Sequence, residues 1–154
     1  MNSNNDSTTI FIYVLTLIST KSLRGETMNN ILAKDVMITN IYTITPKKRI
    51  ALARLRMLRH SVGALPVVDD ENNLLGIITL RDIDLAGETT SELLVEDLMS
   101  IDLKTGNENT KISEIAGIML QTGIQRVPII DKNNKLIGLI TQTVVIKAAM
   151  DLFD

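Results

Sequence analysis

The chain repeats itself at an offset of 62 residues. Sliding it by that amount places Asp35-Val-Met37 on Asp97-Leu-Met99, Ile50 on Ile112, Met57-Leu58 on Met119-Leu120 and Pro66 on Pro128. The same shift places Asp69 on Asp131, Leu74 on Leu136, Gly76 on Gly138 and Ile78-Thr79 on Ile140-Thr141, without a gap. Between residues 35 and 83, 13 of 49 positions are identical, where average composition gives about three by chance. A fold for this chain must therefore be one unit of roughly sixty residues made twice. A unit of that size buries too little surface to be stable alone. The 154 residues are expected to hold two halves, 28–88 and 89–154, packed sheet to sheet as a pseudo-twofold pair.

The periods change in the same order in both halves. Ile50, Ala53, Met57 and Leu58 follow helical spacing, with Thr45-Pro46 offered as N-cap and first helical residue. Ile112, Ile115, Ala116, Met119 and Leu120 repeat the face, with Asn109 or Thr110 available as the cap. Short β-branched runs come next, Leu65-Pro-Val-Val68 and Val127-Pro-Ile-Ile130. Polar turns at 69–73 and 131–135 lead into second strands at 74–79 and 136–141, and a helix follows each hairpin. The order strand, helix, strand, strand, helix predicts an α+β (α/β) unit with helices on one face of a small sheet.

Composition closes off most chemistry. With Cys 0 and His 1 there is no disulfide, no Cys-ligated metal, no thiol nucleophile and no His cluster, and a Ser/His/Asp triad would depend wholly on His60. A reducing, cytoplasmic setting is compatible with this. Net charge is -2 and aromatics are 3%, so neither a basic field nor stacking platforms for nucleic acid are present. Lys47, Lys48, Arg49, Arg54, Arg56, Arg59 and His60 make one helix basic, yet residues 28 to 88 hold 8 Lys+Arg against 7 Asp+Glu, the pattern of a solvated face. Residues 1–27 stand apart. Their apolar run, Ile10 to Ile18, is too short to cross a bilayer, which needs about 20 residues, and no Lys or Arg precedes it as in a secretory signal. No membrane association is expected. Met28 is a candidate start, which would make the preceding stretch an artefact of the assigned start or a loose arm. Left uncovered, the run is β-prone; the alternative is an added strand or helix covering a dimer surface.

The ordered set of Asp-Val-Met, a helix with Ala-x-x-x-Met, Leu-Pro-Val-Val-Asp and Gly-Ile-Ile-Thr-Leu-Arg-Asp-Ile, occurring twice across residues 31 to 149, resembles the CBS domain, named for cystathionine β-synthase. The duplicated pair is similar to a Bateman module, a stand-alone pair without a catalytic domain. The resemblance implies a non-catalytic regulatory protein that binds an adenosine-containing ligand between its two units, forms a homodimer and signals to a separate effector protein. AMP, ADP, ATP, S-adenosylmethionine and methylthioadenosine are the ligands implied; a structural dimerisation module with vestigial pockets is the alternative.

Gly76-Ile-Ile-Thr79-Leu-Arg81-Asp82 is the stretch that can bind. A strand ending at Thr79 and turning into a helix brings its hydroxyl beside the Asp82 carboxylate. A carboxylate accepts from both hydroxyls of a vicinal diol, and a Thr hydroxyl donates or accepts as required. By spacing alone the same two residues serve equally as helix caps; the resemblance implies ribose binding. In the second half Thr141 is kept but Val144 replaces the carboxylate, which leaves a degraded site. The resemblance further implies that Ile101, Asp102, Leu103, Gln125, Val127 and Pro128 cradle the adenine of the complete site, with Leu103 and Val127 against its faces. Ile38, Ile41, Gly63, Ala64, Leu65, Pro66 and Thr141 would form the degraded one. Gly63 and Ala64 suit a base or tight packing equally. Arg126, and less directly Arg81, are the candidate phosphate contacts. A single such Arg favours a ligand of few negative charges, with AMP foremost. No Walker-type loop or carboxylate cluster is present, so neither ATP hydrolysis nor a resident metal or other cofactor is expected.

Overall fold

The structure is a computed structural model, and it describes Thr9, residues 11–13, Thr16, residues 30–87 and residues 92–151. In chain order the elements are α1 (Ala33–Val36), α2 (Ile50–His60), β1 (Ala64–Val68), β2 (Leu74–Thr79), α3 (Leu80–Leu85), α4 (Val95–Leu98), α5 (Ile112–Thr122), β3 (Arg126–Ile130), β4 (Leu136–Thr141) and α6 (Gln142–Asp151). The mixed helix and strand content is that of tandem α+β units. Among the described residues, no helix is long and apolar enough to cross a membrane.

The chain divides into two compact units that exchange their lead-in segments. Unit 2 is Asn40–Leu103 with Ile130–Leu136; unit 1 takes the described residues up to Thr39, Lys104–Ile129 and those from Ile137 onward. Each unit thus combines the long helix and most of the two strands of one repeat with the Asp-x-Met lead-in of the other, and unit 2 holds both hairpin turns.

In unit 2, β1 and β2 pair antiparallel, with Ala64 opposite Thr79, Leu65 opposite Ile78 and a bulge between Val67 and Val68. The first strand expected of the repeat shrinks to one parallel bridge, Ile44 beside Val67. The far edge of β2 is taken by Ser100 from the second repeat's lead-in, whose N–H and C=O exchange hydrogen bonds of 2.8 and 3.0 Å with Ile77. Gly76 is required at this edge: a Cβ would stand 2.8 Å from the Ser100 carbonyl oxygen and 2.9 Å from the Met99 sulfur. The repeated Asp-x-Met and glycine motifs are therefore two sides of one contact. Ile50, Ala53 and Met57 of α2, Ile83 of α3 and Val95 of α4 close over Leu65, Val67 and Ile78 to form the core.

Helix α2 starts later than Thr45-Pro46 suggests. Its N-cap is Arg49, without a side-chain cap. The backbone ahead of it is committed elsewhere: Val95 N–H donates to Lys48 O at 2.8 Å, Glu96 N–H to Pro46 O at 3.1 Å and Ile50 N–H to Leu93 O at 3.1 Å. Asn109 and Thr110 likewise do not cap α5, whose N-cap is Lys111. They build the preceding turn, with Thr110 Oγ1 accepting from Asn107 N–H at 2.9 Å.

The two hairpin turns meet within unit 2. Asn72 and Asn134 adopt left-handed φ of 66° and 63°, which Asn tolerates better than most residues. Asn72 Nδ2 donates to Leu136 O at 2.9 Å and Asn134 Nδ2 to Leu74 O at 3.1 Å. The backbone returns the exchange, Leu74 N–H to Asn134 O and Leu136 N–H to Asn72 O at 3.0 and 3.1 Å.

Unit 1 repeats this plan around Ile112, Ile115, Met119, Val127, Ile129, Ile140, Val145 and Ala148. Ile38 bridges Leu139 as Ser100 bridges Ile77, and Gly106 bridges Ile129 as Ile44 bridges Val67. Phe11 adds to this core at 1% exposure. Thr9, residues 11–13 and Thr16 are helical, so where the structure describes the N-terminal apolar run it forms helix and not strand.

Candidate functional site

In unit 2, Thr79 ends β2 and is the N-cap of α3. Its hydroxyl accepts from Asp82 N–H at 3.1 Å, and Asp82 Oδ2 accepts from Thr79 N–H at 2.8 Å. This reciprocal arrangement is a capping box. It fixes both side chains at the junction without exhausting them. Asp82 Oδ1 and the Thr79 hydroxyl hydrogen have no protein partner among the described residues, and both groups are half-buried. Capping and diol binding are therefore compatible roles of one pair. Leu80 N–H donates to Gly63 O at 2.9 Å, which ties the helix start to the residue before β1. Arg81 lies on the exposed side of that turn.

Ile101, Asp102 and Leu103 follow directly from Ser100, and because its bridge to Ile77 is antiparallel they run toward the Leu74 end of β2, away from Thr79. Ile101 is 74% exposed and Asp102 is exposed. Leu103 packs against Val68, Leu74 and Leu136, with Ile41 beside the same cluster. Ala64, Leu65 and Pro66 are buried in β1; Leu65, at 0% exposure, belongs to the core.

Gln125, Arg126, Val127 and Pro128 belong to unit 1. The Val127 side chain is 0% exposed inside the unit 1 core. Residues of α5 and β4 pack with Val127 in that core. Arg126 opens β3 half-buried, and among the described residues its guanidinium has no carboxylate partner. Burial pushes its pKa below the usual Arg value, the mark of a cation losing water without a compensating anion.

The corresponding junction in unit 1 keeps half of the device. Thr141 Oγ1 accepts from Val144 N–H at 3.2 Å, and Gln142 N–H donates to Gln125 O at 3.1 Å. Val144 returns nothing to Thr141 and packs against the core. Ile38 lies beside β4 through Leu139. Sequence reasoning missed the lead-in bridges that fasten these segments to the strands. Their trace was the glycine repeated at 76 and 138, each facing a methionine repeated at 37 and 99.

The family model described as CBS domain matches residues 33–87 and 95–151. The CBS domain-containing protein YhcV of Bacillus subtilis is 38% identical over 110 residues, covering 70% of this chain and 77% of YhcV. An inosine-5'-monophosphate dehydrogenase of Methanocaldococcus jannaschii is 35% identical over 115 residues; the match covers 75% of this chain but only 23% of the dehydrogenase. Among solved structures, CBSX2 in complex with AMP superposes with TM-score 0.74 at 25% identity, over 81% of this chain and 100% of that one. The CBS domain pair of protein MJ0100, in complex with 5'-methylthioadenosine and S-adenosyl-L-methionine, superposes with TM-score 0.72 at 26% identity, over 79% and 98%.

Proposed function

The chain belongs to the CBS-domain family, with two tandem copies, and from that premise we propose that it is a non-catalytic regulatory module whose ligand is adenosine-containing. What carries the reading is the junction at Thr79 and Asp82. After making the capping box it still offers a carboxylate oxygen and a hydroxyl hydrogen, the complement of a ribose diol. Similar proteins whose structures hold AMP, or methylthioadenosine and S-adenosylmethionine, give the ligand class.

Arg126 takes a phosphate in this proposal, because an unpaired, partly desolvated guanidinium gains most from a bidentate anion. With Arg81 exposed, a single seated cation favours AMP over ATP. The exposed Ile101, in the same unit as Thr79 and Asp82, serves the base. Ligand binding regulates only if it favours one conformation over another, so the effector is a separate cytoplasmic protein that reads that difference, and the module works as a homodimer. The scaffold alternative has one observation on its side, the missing carboxylate at Val144.

The test is thermal unfolding of the full chain with AMP, ADP, ATP, S-adenosylmethionine and methylthioadenosine in turn. A ligand at a hundredfold excess over its dissociation constant stabilises the folded state by about 2.7 kcal/mol. A rise in midpoint with AMP, smaller or absent with ATP, is expected; no rise with any of the five favours the scaffold.

A further inference from the structure

We propose that Met37 and Met99 are oxidation sites of this chain, and that converting their thioethers to sulfoxides unfastens the lead-in from the hairpin edge in each unit. The chain has Met 7 and Cys 0, so the only sulfur a mild oxidant can meet is a thioether. Met57 and Met119 are each 1% exposed inside their cores, and Met150 is 59% exposed. Met37 and Met99 are half-buried, within reach of a small oxidant. Both also fasten an edge. Within unit 2 the Met99 sulfur would stand 2.9 Å from a Cβ on Gly76, and within unit 1 a Cβ on Gly138 would collide with the Met37 thioether. Each thioether therefore occupies the space that a side chain at its glycine would take.

A sulfoxide does not fit that place. The sulfur lone pair attacks a hydroperoxide, and the S–O bond forms as the O–O bond breaks. The proton of the transferred oxygen goes to the departing one, which leaves as water or an alcohol; sulfur loses two electrons and the peroxide gains them. The product is bulkier than the thioether and polar where the thioether was apolar. The backbone donors of the adjoining bridge are already taken. Ile77 N–H donates to Ser100 O at 3.0 Å and Ser100 N–H to Ile77 O at 2.8 Å, and in unit 1 Ile38 and Leu139 exchange two bonds of 3.0 Å. A buried acceptor left without a donor destabilises the packed state, and turning it out to water withdraws the side chain from the glycine. Either course loosens the segment that follows Met37 or Met99. Met150, largely exposed, takes the same oxygen without such a loss.

The test needs no ligand, so its outcome is independent of the adenosyl reading. The full chain is exposed to hydrogen peroxide, and aliquots are followed by peptide mass mapping of each methionine and by thermal unfolding. Met37 and Met99 are expected to gain one oxygen each while Met57 and Met119 stay unmodified, with the midpoint falling by roughly 5 °C or more once both sites are converted. Hydrogen exchange at the Ile38, Ile77, Ser100 and Leu139 amides should quicken at the same stage. Met37→Leu combined with Met99→Leu, a volume-conserving pair of changes, should keep its own midpoint through the treatment, whereas Met150→Leu should fall with the parent. Met37 and Met99 intact when Met150 is fully oxidised, or converted with midpoint and exchange unchanged, overturns the proposal; so does a double variant that loses as much as the parent. If the double variant folds poorly, the parent's mapping and exchange decide by themselves.

Discussion

Asp82→Ala separates a cap from a binding group because the two roles differ in size. As a cap, Asp82 contributes one acceptor, Oδ2, at 2.8 Å from Thr79 N–H. The complementary bond from Asp82 N–H to Thr79 Oγ1 at 3.1 Å survives the substitution. Unit 1 shows the resulting half device already in use, with Thr141 accepting from Val144 N–H at 3.2 Å. The loss therefore falls at about 1 kcal/mol, within the usual range for a cap, which lowers the unfolding midpoint by roughly 2–4 °C in a chain of this length. As a ribose ligand, the same carboxylate accepts charge-assisted bonds worth about 1.5–3 kcal/mol each. One or two lost bonds weaken binding by a factor of roughly ten to about ten thousand, at about 1.4 kcal/mol per decade. Calorimetric titration with AMP and a melting curve on the same samples read both quantities. Asp82→Asn sharpens the comparison, since the amide oxygen still accepts from Thr79 N–H while the charge is gone. It should keep most of the midpoint and lose most of the affinity. An Asp82→Ala protein with a lowered midpoint and unchanged AMP affinity would refute the reasoning.

Three further predictions concern the scaffold. Phe11→Ala removes a side chain that is 1% exposed in the unit 1 core and should cost about 3 kcal/mol by denaturant unfolding of the full chain; no change would mean that the N-terminal segment contributes nothing to the fold. Gly76→Ala places a methyl 2.8 Å from the Ser100 carbonyl oxygen, which the bridge to Ile77 holds in place, and should cost about 1–3 kcal/mol; an unchanged midpoint contradicts the fastening of β2 to that lead-in. Asp69 has its carboxyl held below the ordinary range, first by the Asn73 side chain and then by its backbone N–H. A depressed folded pKa stabilises at pH above the unfolded value and is lost as pH falls through the folded value. The Glu71 and Asn73 amide resonances should therefore titrate below the ordinary carboxylate range, and a transition at the ordinary value would contradict the turn geometry.

Periodicity carried much of this fold because the repeat could be checked against itself. The helical face, the hairpin and its turn were each readable twice. What stayed hidden was which lead-in served which sheet. Asp35-Val-Met37 and Asp97-Leu-Met99 look alike in sequence, and nothing local says that Met99 covers Gly76 while Met37 covers Gly138. The same exchange displaced the start of α2, since backbone groups from Pro46 to Ile50 were claimed by residues 93–96. At the site, the Thr79 and Asp82 pairing was legible from a three-residue spacing that a capping box enforces. The burial of Val127 in the unit 1 core was not legible, because alternation along so short a strand does not say which face a side chain takes.

The central claim, that Thr79 and Asp82 hold an adenosyl ligand, is most directly tested by following backbone amide resonances of the full chain during titration with AMP. Saturable shifts at Thr79 and Asp82, larger than those at Thr141 and Val144, are the result the account predicts. Saturable binding that leaves the Thr79 and Asp82 amides unmoved would contradict it.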